Sequence, residues 1–222
     1  MDKSLVEKTK KVIESVSGME SIKPYILVGG TALSLQIENR LSEDLDFMRW
    51  QEQKNEKMDI NISEILKELE AGHTVDSMNI LEFNHMEFFI DGGVKLSFYA
   101  PEKKSPVIQT VPYMNNLVLA DIDTIASLKM ETMMRRTVFR DYYDLYCILN
   151  TKQPQEVKSI IDNALKYSGH NLKSKNLLGM LVNSDRFRND TSFSELKPKY
   201  SISAKEIEAF MIEKVKDVYL QK

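Results

Sequence analysis

Residues 27–47, LVGGTALSLQIENRLSEDLDF, decide how this chain is read. The apolar run YILVGG at 25–30 predicts a short buried strand ending in two glycines. TALSLQIENR at 31–40 then carries Ala32, Leu33 and Ile37 at helical spacing, with Thr31 placed to cap the helix. EDLDFM at 43–48 alternates acidic and apolar residues, the period-two signature of a strand with one polar face. Residues two apart on a strand share a face with Cα atoms roughly 6.5–7 Å apart, so Asp44 and Asp46 can converge on a cation while Leu45 and Phe47 enter the core.

Two carboxylates on such a face suit Mg²⁺, which takes a few carboxylate oxygens, keeps several waters and completes its octahedron with the phosphate oxygens of a nucleotide. Two such ions about 4 Å apart polarise both the attacking and the leaving oxygen of a phosphoryl or nucleotidyl transfer. Gly29 and Gly30 answer a different need: at a strand-to-helix junction they let backbone approach a phosphate closely, beside helix amides and a dipole that favour an anion. Ser42 adds a hydroxyl next to the acids. G-x-G-x-x-G is absent and no G-K-[ST] follows, which excludes a dinucleotide fingerprint and a P-loop. Alone, a D-x-D is more often a solvated polar face and a glycine pair more often a turn; the combination across one helix carries the reading.

The rest of the chain bounds the function class. Its 222 residues, 42% hydrophobic and 28% charged, have the composition of a globular protein with a sizeable core. Charge is spread through the N-terminal segment where a signal peptide needs an apolar run, and no stretch approaches the ~18 apolar residues of a membrane span, so a cytoplasmic protein is expected. The single Cys147, in DLYCIL, permits no internal disulfide and reads as a buried small hydrophobe. His73, His85 and His170 are scattered surface or strand residues without zinc spacing. A net charge of −3 gives no global attraction to nucleic acid, but Lys129, Arg135, Arg136 and Arg140 form a local basic cluster.

Patterning predicts helices over 2–17 and 60–70, the latter with Asn61 and Ser63 as candidate caps, and β-rich runs from 73 to 100 with a DGG hairpin turn at 91–93. A short strand NLVLA precedes Asp121, the N-cap of a helix running to Arg136. Further helices are expected at 138–150, 154–168, 173–182 and 204–220, with a polar, irregular connection over 183–201. In the last helix Ile207, Phe210, Met211, Val215 and Val218 form one core stripe. The expected fold class is α+β: a mixed sheet with flanking helices over residues 1–120, then an α-helical bundle domain over 121–222, the two facing one cleft.

With Gly29, Gly30, Thr31, Arg40, Ser42, Asp44 and Asp46 in this order, the stretch resembles the first motif of the AbiEii/AbiGii toxin family, a branch of the DNA polymerase β-like nucleotidyltransferase superfamily. A second stretch, LKMETMMRRTVFRDYYDLYCIL, is similar to that family's helical motif, with Lys129, Arg136, Arg140-Asp141 and Asp144-Leu145 at its spacing. The resemblance implies a nucleotidyltransferase-like fold and transfer of a nucleoside monophosphate from an NTP, with Mg²⁺ at Asp44 and Asp46. It also implies a bacterial toxin–antitoxin or phage-defence role, an RNA such as tRNA as acceptor, and a cognate antitoxin as partner. Nucleotide and phosphate contacts then fall to Gly29, Gly30, Thr31, Arg40, Ser42, Arg136, Arg140 and Asp144, and catalytic roles to Asp44, Asp46, Lys129 and Asp141.

Physical reading of the second motif agrees. Positions 129, 133 and 136 of a helix share a face, so Lys129 and Arg136 are expected to neutralise a triphosphate together. Asp141 and Asp144 share a face of the next helix; they orient the basic side chains, or one of them contacts the nucleotide or acts as a base. One feature departs from the superfamily pattern, which commonly has a third carboxylate on a later strand: VKLSFYA carries Ser97 there, and Glu87 on the preceding strand is an outside candidate. That departure motivates an alternative, a nucleotide- or protein-binding module that kept the fold and lost catalysis. A third reading is kinase-like phosphoryl transfer in the same cleft.

Overall fold

The computed structural model describes residues 4–53, 56–106, 109–169, 172–187 and 192–219; His170 and residues 188–191 of the 183–201 connection lie outside the described residues. The chain divides into two compact units, Met1–Asp121 and Ile122–Lys222.

The first unit is a seven-stranded mixed sheet with helices. In chain order it contains α1 (Glu7–Ser17), β1 (Ile26–Val28), α2 (Gly29–Ile37), β2 (Leu45–Met48), α3 (Ile62–Gly72), β3 (Val75–Glu82), β4 (His85–Ile90), β5 (Val94–Tyr99), β6 (Thr110–Met114) and β7 (Leu117–Ala120). The sheet order is β3-β4-β5-β2-β1-β7-β6. Strand β2 runs antiparallel to β1 and parallel to β5, while β1 runs parallel to β7. The motif strand therefore lies at the centre of the sheet. Period two sorts its side chains: Leu45 and Phe47 are buried with Leu96, Phe98, Met86 and Phe88 of the neighbouring strands. Phe47 and Phe98 stack at 5.0 Å between centroids, and Phe88 meets Phe98 edge-on at 5.9 Å. Each such ring removes apolar surface worth about 1.5–3 kcal/mol from water, which fixes the register and so the direction of the opposite, polar face.

Three local details differ from the sequence reading, at the start of α1, the cap of α2 and strand β6, while the cap of α3 is one of the two expected. Helix α1 starts at Glu7, because Leu5 forms a parallel bridge to Ser42, with Ser42 N–H donating to Ser4 O at 2.9 Å. Helix α2 begins at Gly29 with Val28 as its N-cap, so Thr31 lies inside the helix and does not cap it. Asn61 caps α3, its side-chain oxygen accepting from Glu64 N–H at 3.3 Å. Strand β6 was not visible in the pattern because TVPYM contains a proline; it forms at the sheet edge, where a missing N–H is tolerated. The DGG turn is as expected, with Asp91, Gly92 and Gly93 at positive φ and the Asp76 carboxylate accepting from Gly92 and Gly93 N–H.

The second unit is helical in all its regular elements among the described residues: α4 (Ile122–Thr132), α5 (Phe139–Leu149), α6 (Pro154–Tyr167), α7 (Ser174–Leu181) and α8 (Ala204–Tyr219), with single 3₁₀ turns at Ser184–Arg186 and Phe193–Leu196. Helix α6 opens on a capping box between Gln153 and Glu156 with Pro154 at its first position. Helix α4 stops at Thr132, short of Arg136: Arg135 and Arg136 N–H both turn back to Thr132 O, and Val138 is already extended. The 183–201 connection is less solvated than its composition suggests. Phe187 stacks on Tyr142 at 4.1 Å, Phe193 packs edge-on against Phe139 and Tyr143, and Tyr200 N–H donates to the Tyr143 hydroxyl. Those aromatic anchors tie the connection to α5. In α8, Ile207 and Met211 are buried, and the other stripe residues are half-buried.

Candidate active site

The polar face of β2 carries the acids. Cross-strand pairing places Asp46 beside Ser97 on β5, and Ser97 beside Glu87 on β4, so Asp46, Ser97 and Glu87 form one row. Lys95, two residues before Ser97, shares that face; its ammonium lies 3.2 Å from Asp44 Oδ2 and 3.8 Å from Glu87 Oε1. Burial pushes the Lys95 ammonium toward deprotonation, but the charges of Asp44, Asp46 and Glu87 outweigh it, and its pKa lies above the ordinary lysine value. His85 Nε2 lies 3.2 Å from Ser97 Oγ at the end of the row. Sequence reasoning missed Lys95. The signal was present in the same period-two rule that selected Asp44 and Asp46, applied to VKLSFY.

The glycine pair is explained by what faces it. Gly29 has φ +72, and a Cβ there would lie 2.7 Å from Asp46 Oδ2. A Cβ on Gly30 would run into the Arg40 guanidinium and come within 3.1 Å of Ser42 Oγ. The close approach the glycines permit is thus to this chain's own Asp46, Arg40 and Ser42. Arg40, Ser42 and Thr31 are all buried. Thr31 Oγ1 is hydrogen-bonded to Ser42 Oγ at 2.9 Å and to the Asp44 carbonyl, and Arg40 Nη1 donates to Leu41 O at 2.9 Å. These three residues knit α2 to the loop that delivers Asp44 and Asp46, and so set where the carboxylates stand.

In the helical unit the second motif forms an ion-pair network. Lys129, on α4, is 6% exposed; its Nζ lies 2.9 Å from Asp141 Oδ1 and 2.7 Å from Asp144 Oδ2, both on α5. Asp141 also accepts a two-point contact from Arg136, from Nε at 2.8 Å and from Nη2 at 3.1 Å. Burial pushes the Asp141 carboxyl up, yet Lys129 and Arg136 together hold it below the usual carboxylate value. Of the four residues read as a basic surface, Lys129 is buried among carboxylates and Arg140 is half-buried at the start of α5, which leaves Arg135 and Arg136 as the exposed cations, Arg135 paired with Glu131. The Arg136 side chain is 58% exposed, with its Nε–Nη2 edge taken up by the Asp141 carboxylate.

Among the described residues there is no group of three or more His, Cys, Asp or Glu side chains arranged to hold a metal ion. The available donor set is the Asp44 and Asp46 pair, with Asp44 already beside an ammonium. Two hard carboxylates fit a Mg²⁺-class ion, which completes its shell with water and phosphate oxygens, and not a closed structural site. Cys147 is buried as expected. His85 opens strand β4, in keeping with its reading as a strand residue, while His73 bridges Ser15 Oγ and Asp91 Oδ2, at 2.5 and 2.6 Å. No helix among the described residues is long and apolar enough to cross a membrane.

This chain is 25% identical over 226 residues to an uncharacterized protein of Aquifex aeolicus, covering 99% of each. It is similar in structure to a candidate nucleotidyltransferase from H. pylori, with a TM-score of 0.59, 16% identity and 98% and 100% of the two chains covered. It is also similar to MenT4, a nucleotidyltransferase toxin of Mycobacterium tuberculosis, with a TM-score of 0.53, 14% identity and 96% and 87% covered. At those identities the structures establish a shared nucleotidyltransferase fold. The family model for the nucleotidyl transferase AbiEii toxin of type IV toxin–antitoxin systems matches residues 20–218, and with the Gly29–Asp46 and Lys129–Asp144 constellations in place this chain belongs to that family.

Proposed function

We propose that the protein transfers a nucleoside monophosphate from an NTP to an acceptor hydroxyl or phosphate, with RNA such as tRNA as the acceptor class, and that it acts in the cytoplasm of a bacterium as a toxin restrained by a cognate antitoxin. One observation carries the chemistry: Asp46 on the polar face of central strand β2 and Asp44 just before that strand both interact with Lys95, and Gly29 is bare where the Asp46 carboxylate needs the space. The toxin role and the antitoxin rest on family membership. A Mg²⁺ ion bound by Asp44 and Asp46 would supply charge neutralisation and polarisation at the α-phosphate. The acceptor oxygen forms a bond to the α-phosphorus as the bond to pyrophosphate breaks, and pyrophosphate leaves with the charge developed on it. Within the helical unit, Arg136, held by Asp141, is an exposed cation of the type that binds phosphate. Lys129 and Asp144 act through that arrangement: they fix Asp141, and Asp141 fixes Arg136. In this reading Asp141 is a positioning residue and not a base, since both its oxygens already accept from cations.

The test is label transfer from α-labelled NTP to total RNA with magnesium. Product is expected with wild type and a loss of about 10²-fold or more with Asp44→Asn and Asp46→Asn; equal transfer by the variants refutes the assignment. Label moving from the γ-position instead establishes phosphoryl transfer. Ser97, where a third carboxylate stands in the superfamily, favours the second reading, a binding module without catalysis. NTP binding that is indifferent to Asp46→Ala and yields no product establishes that reading over the first.

A further inference from the structure

The unusual element of the acidic face is its cation. Asp44, Asp46 and Glu87 project from three positions of one sheet face, and the side chain in their midst is Lys95, ion-paired to Asp44 at 3.2 Å and near Glu87 at 3.8 Å. Three carboxylates against one ammonium leave a fixed charge of −2, which a single divalent ion neutralises. The strand position directly beside Asp46 is Ser97, a neutral donor and acceptor already near His85. It adds no charge to hold another ion. An ammonium at this distance from Asp44 also repels a further cation brought to that carboxylate, and its charge interacts with Asp46 as well.

We propose that Lys95 is a built-in monovalent cation that replaces a second divalent ion, so that the Asp44–Asp46 site takes one Mg²⁺-class ion and Glu87 serves to hold the lysine. This rests on the metal reading of the two aspartates. Lys95 then neutralises Asp44 permanently, and its remaining N–H groups face phosphate oxygens of the nucleotide. The arrangement keeps the acidic face paired in the absence of metal, where three uncompensated carboxylates on adjacent strands would repel one another.

Mn²⁺ binding to the full chain, followed by electron paramagnetic resonance and titration calorimetry without nucleotide, tests this. Wild type is expected to bind one Mn²⁺ per chain, and Asp46→Asn to lose it. Lys95→Met should bind the first ion at least about tenfold more tightly, the scale on which one neighbouring charge moves an ionic equilibrium, and should admit a second ion seen as spin-coupled Mn²⁺. Lys95→Arg, which keeps the charge, should match wild type in stoichiometry. Thermal unfolding of each variant confirms that it is folded. Two ions on wild type, or identical stoichiometry and affinity in Lys95→Met, overturn the role given to Lys95 and leave the aspartates as metal ligands. No Mn²⁺ on either wild type or Lys95→Met overturns the metal reading of Asp44 and Asp46 itself, and the proposal with it.

Discussion

Replacing Lys129 by methionine tests whether the second motif is a built network. The ammonium is buried between Asp141 and Asp144, and Asp144 is 0% exposed. Methionine has similar length and no charge, so Asp144 loses its ammonium partner in the helical core while Asp141 keeps Arg136. Removing one partner of a buried pair costs about 3–5 kcal/mol. For chains of this size each kcal/mol moves Tm by about 2–4 °C, so a fall of at least about 6 °C is expected. Asp144→Leu alone should cost less, about 1–3 kcal/mol, because Lys129 retains Asp141 at 2.9 Å. The double variant Lys129→Met/Asp144→Leu should recover more than half of the Lys129→Met loss, since an apolar pair replaces the whole ion pair. Urea unfolding resolves the unit concerned: Trp50, the single tryptophan, is buried in the sheet unit and reports there, whereas the far-ultraviolet helix signal comes largely from the other unit. Lys129→Met as stable as wild type, or a double variant no better than the single one, refutes the network.

Three other expectations follow from the same geometry. Gly29→Ala forces a Cβ against Asp46 Oδ2 at a φ of +72, so it should cost about 1–3 kcal/mol of stability and reduce transferase activity more than an alanine at the open Gly72 position does. Asp141 has a folded pKa below its unfolded one, so its contribution is fully present above the unfolded carboxylate value near pH ~3.9 and is lost as pH falls through the folded value. Asp141→Asn should therefore flatten the acid limb of a stability–pH curve below about pH 4 while lowering stability at neutral pH. Phe187→Ala removes the ring stacked on Tyr142 and should cost about 3–5 kcal/mol in urea unfolding; a change under 1 kcal/mol would mean that the connection is not anchored there.

The central strands were legible because their faces differ so sharply. Leu45 and Phe47 against Asp44 and Asp46 leave one possible orientation, and the DGG turn fixes the β4–β5 register next to them. Boundaries were less legible where a tertiary bond competes with local propensity. Glycines at 29 and 30 read as a junction of strand and helix, which they are, but the boundary falls before Gly29, so Thr31 lies inside α2, and the closeness of Asp46 and Arg40 to the bare glycines is not visible along the chain. Continuation of α4 to Arg136 looked favourable by periodicity, yet it ends at Thr132 and the chain turns so that Arg136 meets Asp141 from outside the helix. The aromatic residues at 187 and 193 were set among polar neighbours with no period, so only their partners on α5 identify them as anchored.

At the site, the structure brings the residues chosen for charge into two clusters, Lys95 joining the acids of the sheet unit and Lys129, Arg136, Asp141 and Asp144 pairing in the helical unit, but which of them are buried was not visible in the sequence. Sequence spacing treats Lys129 and Arg136 as equivalent cations; burial separates them, because the lysine is 6% exposed between two carboxylates, whereas the arginine pairs with Asp141 while its side chain stays 58% exposed. The same distinction applies to Thr31, Arg40 and Ser42, whose buried bonds organise the loop before β2. Lys95 shows the converse. It stood outside both motifs, and only the pairing of β2 with β5 brings its ammonium beside Asp44. A motif read along the chain finds the carboxylates; the cation that balances them lies across the sheet, where strand register and not sequence distance decides who meets whom.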